Sequence, residues 1–167
     1  MKRNRYVLPS QLILLKYFSY DPDTGIVRNL IKRKGANIGD VVGSDSGKGY
    51  LYASFHGVKY RLHRLIWKMV TGRDPIAQID HEDLDGINNR WVNLREATQA
   101  QNQTNKPGWC KSGLKGAYLH HTGRWVSRIT VDKKGIHLGI FDTMQEAHRA
   151  YVAAALKIRG EFARGGK

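Results

Sequence analysis

The chain of 167 residues predicts an α+β architecture in two parts. A small N-terminal antiparallel sheet with a helix leads into a strand–loop–strand–helix motif. A separate three-stranded antiparallel sheet packed on one helix follows. Three observations predict this. Tyr50-Leu51-Tyr52-Ala53-Ser54-Phe55 and Val58-Lys59-Tyr60-Arg61-Leu62 flank His56-Gly57, the pattern of a hairpin. Trp125-Val126-Ser127-Arg128-Ile129-Thr130-Val131 alternates in type, so one face packs and the other meets solvent. Thr143-Met144-Gln145-Glu146 is a capping box, and Gly160 can end the helix it starts. Residues 106–113 contain Pro107-Gly108 and Ser112-Gly113, which discourage regular structure and divide 1–105 from 114–167. In the first part, 1–60 is β-rich and the motif occupies about 76–105.

The elements follow in order. Lys2 to Arg5 form a basic tail, read as a solvated end. Pro9-Ser10 starts a short helix with Leu12, Leu15 and Phe18 on one face. Tyr20-Asp21-Pro22-Asp23-Thr24-Gly25 is a turn by its chemistry, and residues 26–30 a strand. Lys32, Arg33 and Lys34 read equally as phosphate contacts or as a solvated face. Gly47-Lys48-Gly49 lacks the spacing and hydroxyl of a phosphate-binding P-loop. After the hairpin, an amphipathic helix over 63–71 carries Leu65, Ile66, Met69 and Val70 at helical spacing with Leu62, and Gly72 ends it. His63 reads as structural, and Trp67 and Trp91 as packing residues. In the second part, strands are expected over 116–119, 124–131 and 136–141, with turns at Thr122-Gly123 and Lys133-Lys134-Gly135. The helix after Thr143 sets Ala147, Ala150, Ala154 and Ala155 against the sheet, with Tyr151 and Ile158 filling gaps.

Charge narrows the partner. Lys+Arg number 28 against 14 Asp+Glu, a formal net charge of +14, which favours a polyanion. Residues 1–105 hold 16 basic and 10 acidic side chains, while the shorter remainder holds 12 and 4. No apolar run approaches the roughly 20 residues of a membrane span. Leu12-Ile13-Leu14-Leu15 is too short for the core of a signal sequence. The single cysteine, Cys110, can build neither an internal disulfide nor a thiolate zinc cluster, so no structural zinc is expected. These features suggest an intracellular, cytoplasmic protein. No obligate protein partner is evident, and a monomer is favoured.

The stretch from Asp80 to Asn102 carries the chemistry. Cutting a phosphodiester needs a base for the attacking water and positive charge at the departing oxygen. His81 suits the base, because a neutral imidazole near its ordinary pKa takes a proton at pH 7. Asp80 is a hard oxygen ligand for a divalent ion, and Asn102 offers an amide oxygen. Magnesium needs one or two such ligands when water and phosphate complete its shell. Residues 78–81 read as a strand end, Asp85-Gly86 as a turn, and 91–94 as the returning strand. Thr98 can cap a helix that turns Asn102 back toward Asp80. A calcium loop over Asp83-x-Asp85-Gly86 fails, because its last ligand position falls on Val92. Asn88 and Asn89 read as satisfying loop backbone. Arg64, Arg90 and Arg95 lie near the site as candidate phosphate clamps, with salt bridging nearly as plausible for each.

Asp80-His81, Asn88-Asn89-Arg90-x-x-Asn93-Leu94 and Asn102 resemble the HNH endonucleases with a ββα-metal site, especially the homing type of phages and mobile introns. The resemblance covers roughly residues 60–105. It implies that Asp80 and Asn102 bind one divalent metal, magnesium or else manganese. It also implies that His81 is the general base and that Asn93 shapes the motif and orients that base. Asn102 stands where the family usually has His, a variant the homing type also uses.

Residues 114–164 resemble the DNA-binding domain of plant ethylene-response factors, the APETALA type. The matching words include Lys115-Gly116-Ala117-Tyr118, Gly123-Arg124-Trp125-Val126, Leu138-Gly139-Ile140-Phe141-Asp142-Thr143 and Ala153-Ala154-Ala155-Leu156-Lys157. The resemblance implies a sheet that lies in the major groove of double-stranded DNA. Its contact positions are Lys115, Tyr118, His120, Thr122, Arg128, Thr130 and His137, while Trp125 and Phe141 are core. Tyr118, His120, Thr122, Thr130 and His137 depart from the plant residues, so the plant target sequence should not transfer. The expected function is metal-dependent DNA cleavage with the target held by the second part. The alternative is a DNA-binding regulator with an inert HNH remnant.

Overall fold

The computed structural model describes residues 7–45, 47, 49–105, 113–160 and 163. The tail 2–5, Lys48, Cys110 and the linker as far as residue 112 lie outside the described residues. The chain divides into two compact units, Met1–Thr98 and Gln99–Lys167.

In the first unit Ser10 caps α1 (Gln11–Tyr17), its hydroxyl accepting the Ile13 amide at 3.4 Å. The buried row is Leu14 and Phe18, four residues apart. Leu12 and Leu15, expected on that face, are 81% and 47% exposed. A first antiparallel sheet joins β1 (Phe18–Tyr20), β2 (Val27–Asn29) and β3 (Val41–Val42). A second joins β4 (Ser44–Asp45), β5 (Leu51–Phe55) and β6 (Val58–Arg61). His56 and Gly57 both take positive φ, 48° and 77°, matching the two-residue turn whose twist suits a hairpin.

Helix α2 (Leu62–Thr71) ends on Gly72 at φ 74°, a left-handed cap. It buries Leu62, His63, Leu65, Ile66, Trp67 and Met69, whereas Val70 turns outward. Leu62, Leu65, Ile66, Trp67 and Met69 form one core with Leu14, Phe18, Val27, Phe55, Ile79 and Leu94. Each large apolar side chain fully buried there contributes about 1.5–3 kcal/mol. That core anchors β7 (Gln78–His81), which pairs antiparallel with β8 (Leu94–Ala97), Asp80 opposite Arg95 and His81 opposite Leu94. The returning strand therefore begins at Leu94, not Trp91. Trp91–Asn93 is a 3₁₀ turn because the Trp91 amide is drawn to the Pro22 carbonyl and the Asn93 amide closes on Arg90.

The second unit contains α3 (Gln99–Asn105) and a sheet ordered β11 (Lys134–Phe141), β10 (Trp125–Val131), β9 (Ala117–Leu119). The turn between β10 and β11 is Asp132-Lys133, at φ 47° and 66°, one step earlier than its composition suggests. Gly135 is drawn into β11 instead, opposite Thr130. Helix α4 (Met144–Arg159) carries the expected capping box at Thr143. Ala147, Tyr151 and Ala155 pack inward with Ile129, while Ile158 is exposed rather than filling a gap. Trp125 and Phe141, expected in the core, are only half-buried. No helix among the described residues is long and apolar enough to cross a membrane.

Gly116 holds β9 close to α4: its φ is 79°, and an added Cβ would overlap the Tyr151 ring. Gly123 has a similar φ of 82° but open space around it. Gly116→Ala should therefore cost about 2–4 kcal/mol, strain plus overpacking, against about 1–2 kcal/mol for Gly123→Ala. Urea unfolding of the full chain measures both, and equal losses would contradict the close packing.

Candidate functional site

The site is built on the end of β7. Alternation along a strand would send Asp80 and His81 to opposite faces, yet both are 4% exposed. The strand ends there, and the chain returns over it as the loop between His81 and Asn93.

Asn93 closes that loop. Its Oδ1 accepts the Asp83 amide at 3.0 Å, and its Nδ2 donates to Asp83 Oδ1 at 2.9 Å and to the Asn88 carbonyl at 2.7 Å. Its own carbonyl accepts the Glu82 amide at 2.9 Å. Asp83 is the hub. It also takes the Asp85 amide at 2.8 Å and Asn88 Nδ2 at 2.6 Å. Burial pushes this carboxyl up, and the bonds from Asn88, Asp85 and Asn93 outweigh it, leaving Asp83 below the usual carboxylate range. Gly86 lets the loop lie directly on Gly49 and Tyr50, because a Cβ there would strike the Gly49 carbonyl.

Asn89 makes the contact to the imidazole. It is 2% exposed, with Oδ1 at 3.2 Å from His81 Nε2 and Nδ2 donating to the Ile87 carbonyl at 3.3 Å. The amide nitrogen is directed at Ile87 and the oxygen at the ring, an arrangement satisfied by the tautomer with its proton on Nε2. Asn89 thus does more than satisfy loop backbone. Asn93 shapes the loop, but the side-chain bond to Nε2 is Asn89's. Composition gave no sign of this difference, since both are Asn in one polar run.

Two further rings line His81. Tyr50 lies 5.8 Å from it, and His63 packs edge-on at 5.0 Å. His63 is 2% exposed and its Nδ1 has no hydrogen-bond partner. Its place against the site goes beyond the structural role read from sequence. Burial lowers the pKa of both imidazoles. For His63 the neighbouring His81, Arg61 and Arg64 lower it further, to well below its ordinary value. For His81 the bond to Asn89 and the charges of Asp83, Asp80 and Asp85 oppose burial without cancelling it. Both rings are neutral at pH 7.

Asp80 Oδ2 accepts from Arg95 Nε at 3.2 Å, across the β7–β8 pair. Arg64 is half-buried on α2, and Arg90 is exposed at the end of the loop. Asn102 stands on α3 in the second unit, half-buried. Among the described residues, no three His, Cys, Asp or Glu side chains gather as a metal cage.

The second unit presents an outward sheet face. Tyr118, Thr122, Arg128, Thr130 and His137 are exposed, and Lys115 and His120 half-buried. Arg128 stands opposite His137, with its guanidinium 5.5 Å from the Tyr118 ring. His120 Nδ1 lies 2.8 Å from Thr122 Oγ1. Six of these seven side chains come from the three strands and the β9–β10 turn, and Lys115 directly precedes them.

Residues 60–104 match the family model described as HNH endonuclease. APETALA2-like protein 2 of Oryza sativa subsp. indica is 46% identical to this chain over 54 residues, 31% of this chain and 12% of that protein. The subsp. japonica protein of the same name gives the same values. The match thus spans about an eighth of those plant proteins. A solved structure of the HNH homing endonuclease I-HmuI, on DNA binding and cleavage by that protein, aligns over 84% of each chain at 22% identity, with a TM-score of 0.41.

The lowered imidazole pKa values set a sign for stability. Above about pH 6.5 both states are neutral at these histidines. Below it the unfolded chain takes protons that the folded rings refuse, so stability falls as the pH drops toward the folded values. The urea midpoint should fall between pH 7.5 and pH 5.5, and His63→Phe should fall less. An unchanged slope in His63→Phe would mean the burial of this imidazole is not what costs stability in acid.

Proposed function

We propose that this protein is a metal-dependent DNA endonuclease of the HNH type. In this reading His81 is the general base, Asp80 and Asn102 hold one divalent cation, and the sheet of the second unit grips the duplex. The observation that carries it is a buried imidazole, neutral at pH 7 and met at Nε2 by Asn89, on the same strand end as the buried carboxylate of Asp80. The match of residues 60–104 to the HNH endonuclease family supports a nuclease.

A carboxylate and an amide oxygen are the kind of donors a hard divalent cation takes. Asp80 is a buried carboxylate whose charge is met in this structure by a guanidinium, so its surroundings accept positive charge. The carboxylate of Asp80 and the amide oxygen of Asn102 would hold the metal, leaving water and a phosphate oxygen to complete the shell. Magnesium suits this oxygen set, and manganese is the alternative. When bound, the ion supplies positive charge to the phosphate and to the departing oxygen.

The chain's own part is proton transfer and positioning. His81 Nδ1 accepts a proton from a water as its oxygen bonds to phosphorus. The P–O3′ bond breaks with its electron pair on O3′, which takes a proton from solvent, leaving a 5′-phosphate. Asn89 holds the imidazolium by the Nε2 proton it already shares. In this reading Arg64 and Arg90 contact non-bridging phosphate oxygens, and Arg95 turns to the phosphate once the cation takes Asp80. Lys115, Tyr118, His120, Thr122, Arg128, Thr130 and His137 meet the duplex, with phosphate contacts dominating affinity. One such site per chain most simply nicks.

One observation favours a second reading, a DNA-binding regulator with an inert remnant: Asp80 is already paired with Arg95. Supercoiled plasmid separates the two. With magnesium the protein should nick it, EDTA should stop the reaction, and His81→Ala should slow it about 10²–10⁴-fold. Plasmid that stays supercoiled while still bound selects the regulator. For the sheet, Arg128→Ala should reduce the slope of log affinity against log salt by about 1, and an unchanged slope removes Arg128 from the phosphate contacts.

A further inference from the structure

The turn 21–25 has no task in the chemistry above, yet it lies against the residue that holds His81. Four contacts meet there. The Tyr20 hydroxyl donates to the Asn89 carbonyl at 2.9 Å. The Trp91 amide donates to the Pro22 carbonyl at 3.0 Å. Gly25, at φ 75°, brings its Cα onto the same backbone, where an added Cβ would stand 2.6 Å from the Asn89 carbonyl carbon and 2.6 Å from the Arg90 nitrogen. The side chain of Asn89 itself reaches His81 Nε2 at 3.2 Å.

The turn is stiff on its own account. Asp21 Oδ1 accepts the amides of Asp23 and Thr24 at 3.0 and 3.4 Å, and Oδ2 accepts the Thr24 hydroxyl at 2.7 Å. The Asp21 amide donates to Ile26 at 2.9 Å, and the Gly25 amide to Asp21 at 2.9 Å. Such a turn transmits position, because its own polar groups are already spent on each other.

We propose that Tyr20, with the turn it begins, is a positioning residue for the general base, setting the tautomer and placement of His81 through Asn89. This rests on the reading of His81 as the base. Asn89 has its side-chain nitrogen on Ile87, its side-chain oxygen on His81 and its carbonyl on Tyr20, so its backbone is pinned before its amide meets the ring. Deleting the hydroxyl leaves a backbone carbonyl short of a donor inside the protein and frees the segment 89–91 to shift. The Tyr20 proton is well retained: burial, then the charges of Asp21 and Asp23, push its pKa up from the ordinary value, so the hydroxyl donates throughout the working range. The N-terminal sheet is then part of the catalytic apparatus.

The test is Tyr20→Phe, with Tyr60→Phe as a hydroxyl deletion elsewhere in the same core. Imidazole ¹⁵N–¹H spectra of the metal-free full chain report the tautomer. Wild type and Tyr60→Phe should show His81 protonated at Nε2, and Tyr20→Phe should move or broaden those signals. Its kcat for nicking should fall about tenfold with DNA affinity unchanged. Thr24→Val, an exposed change that loosens the turn without touching Tyr20, should give a smaller effect of the same sign and serves if Tyr20→Phe does not fold. The proposal fails if Tyr20→Phe, or failing that Thr24→Val, leaves the His81 signals and kcat no more altered than Tyr60→Phe does. A wild type that never cuts DNA would sink the nuclease reading, while the spectra would still decide whether Tyr20 positions His81.

Discussion

The contact between a buried amide and a buried imidazole, Asn89 and His81, is the one on which the first unit depends. Asn89 and His81 are both removed from water, and an unpaired polar group there costs about 1–3 kcal/mol. Each solves the other's problem at Nε2. The tautomer that satisfies both groups leaves the basic nitrogen on the other side of the ring. The arrangement follows from hydrogen-bond inventory, not from any special reactivity of His81.

The pair survives because the loop around it is self-satisfied. Asp83 and Asn93 bond each other through main chain and side chain, and Asn88 completes the set. An acidic run that imitates a calcium loop is thereby spent on its own amides. Gly86 lets this loop settle on Gly49 and Tyr50, and Gly25 lets the N-terminal turn settle on Asn89 and Arg90. Both are places where backbone meets backbone and no side chain fits. The small sheets of the first unit therefore hold a loop in position more than they enclose a large interior.

The second unit solves a different problem. Its helix is fastened at the N-terminus by Thr143 and Glu146, and Arg159 near the other end reaches the Thr130 carbonyl at 2.7 Å and the Tyr151 hydroxyl at 3.1 Å. Small side chains at Ala147 and Ala155, and none at Gly116, keep helix and sheet close. That close approach leaves the outer sheet face free to carry polar and basic side chains. The outward residues Arg128 and Thr130 alternate with the buried Ser127 and Ile129 along β10, as the period of a strand requires.

Local chemistry alone determined much of this protein. The hairpin at His56-Gly57, the helix closed by Gly72, the capping box at Thr143 and the order of the second unit's strands all follow from spacing and turn residues. So does the pairing of Asp80 with His81 in one short strand. Tertiary structure decided what periodicity cannot address. It chose Leu14 over Leu12, turned Trp91 out of the strand by drawing its amide to Pro22, and set Arg95 on Asp80. Above all it selected Asn89, among three asparagines in one polar run, to hold the imidazole. Side chains of equal chemistry differ only in what lies across from them, and distant segments such as the Tyr20 turn supply that. A one-dimensional pattern records which groups can bond; packing alone says which of them meet.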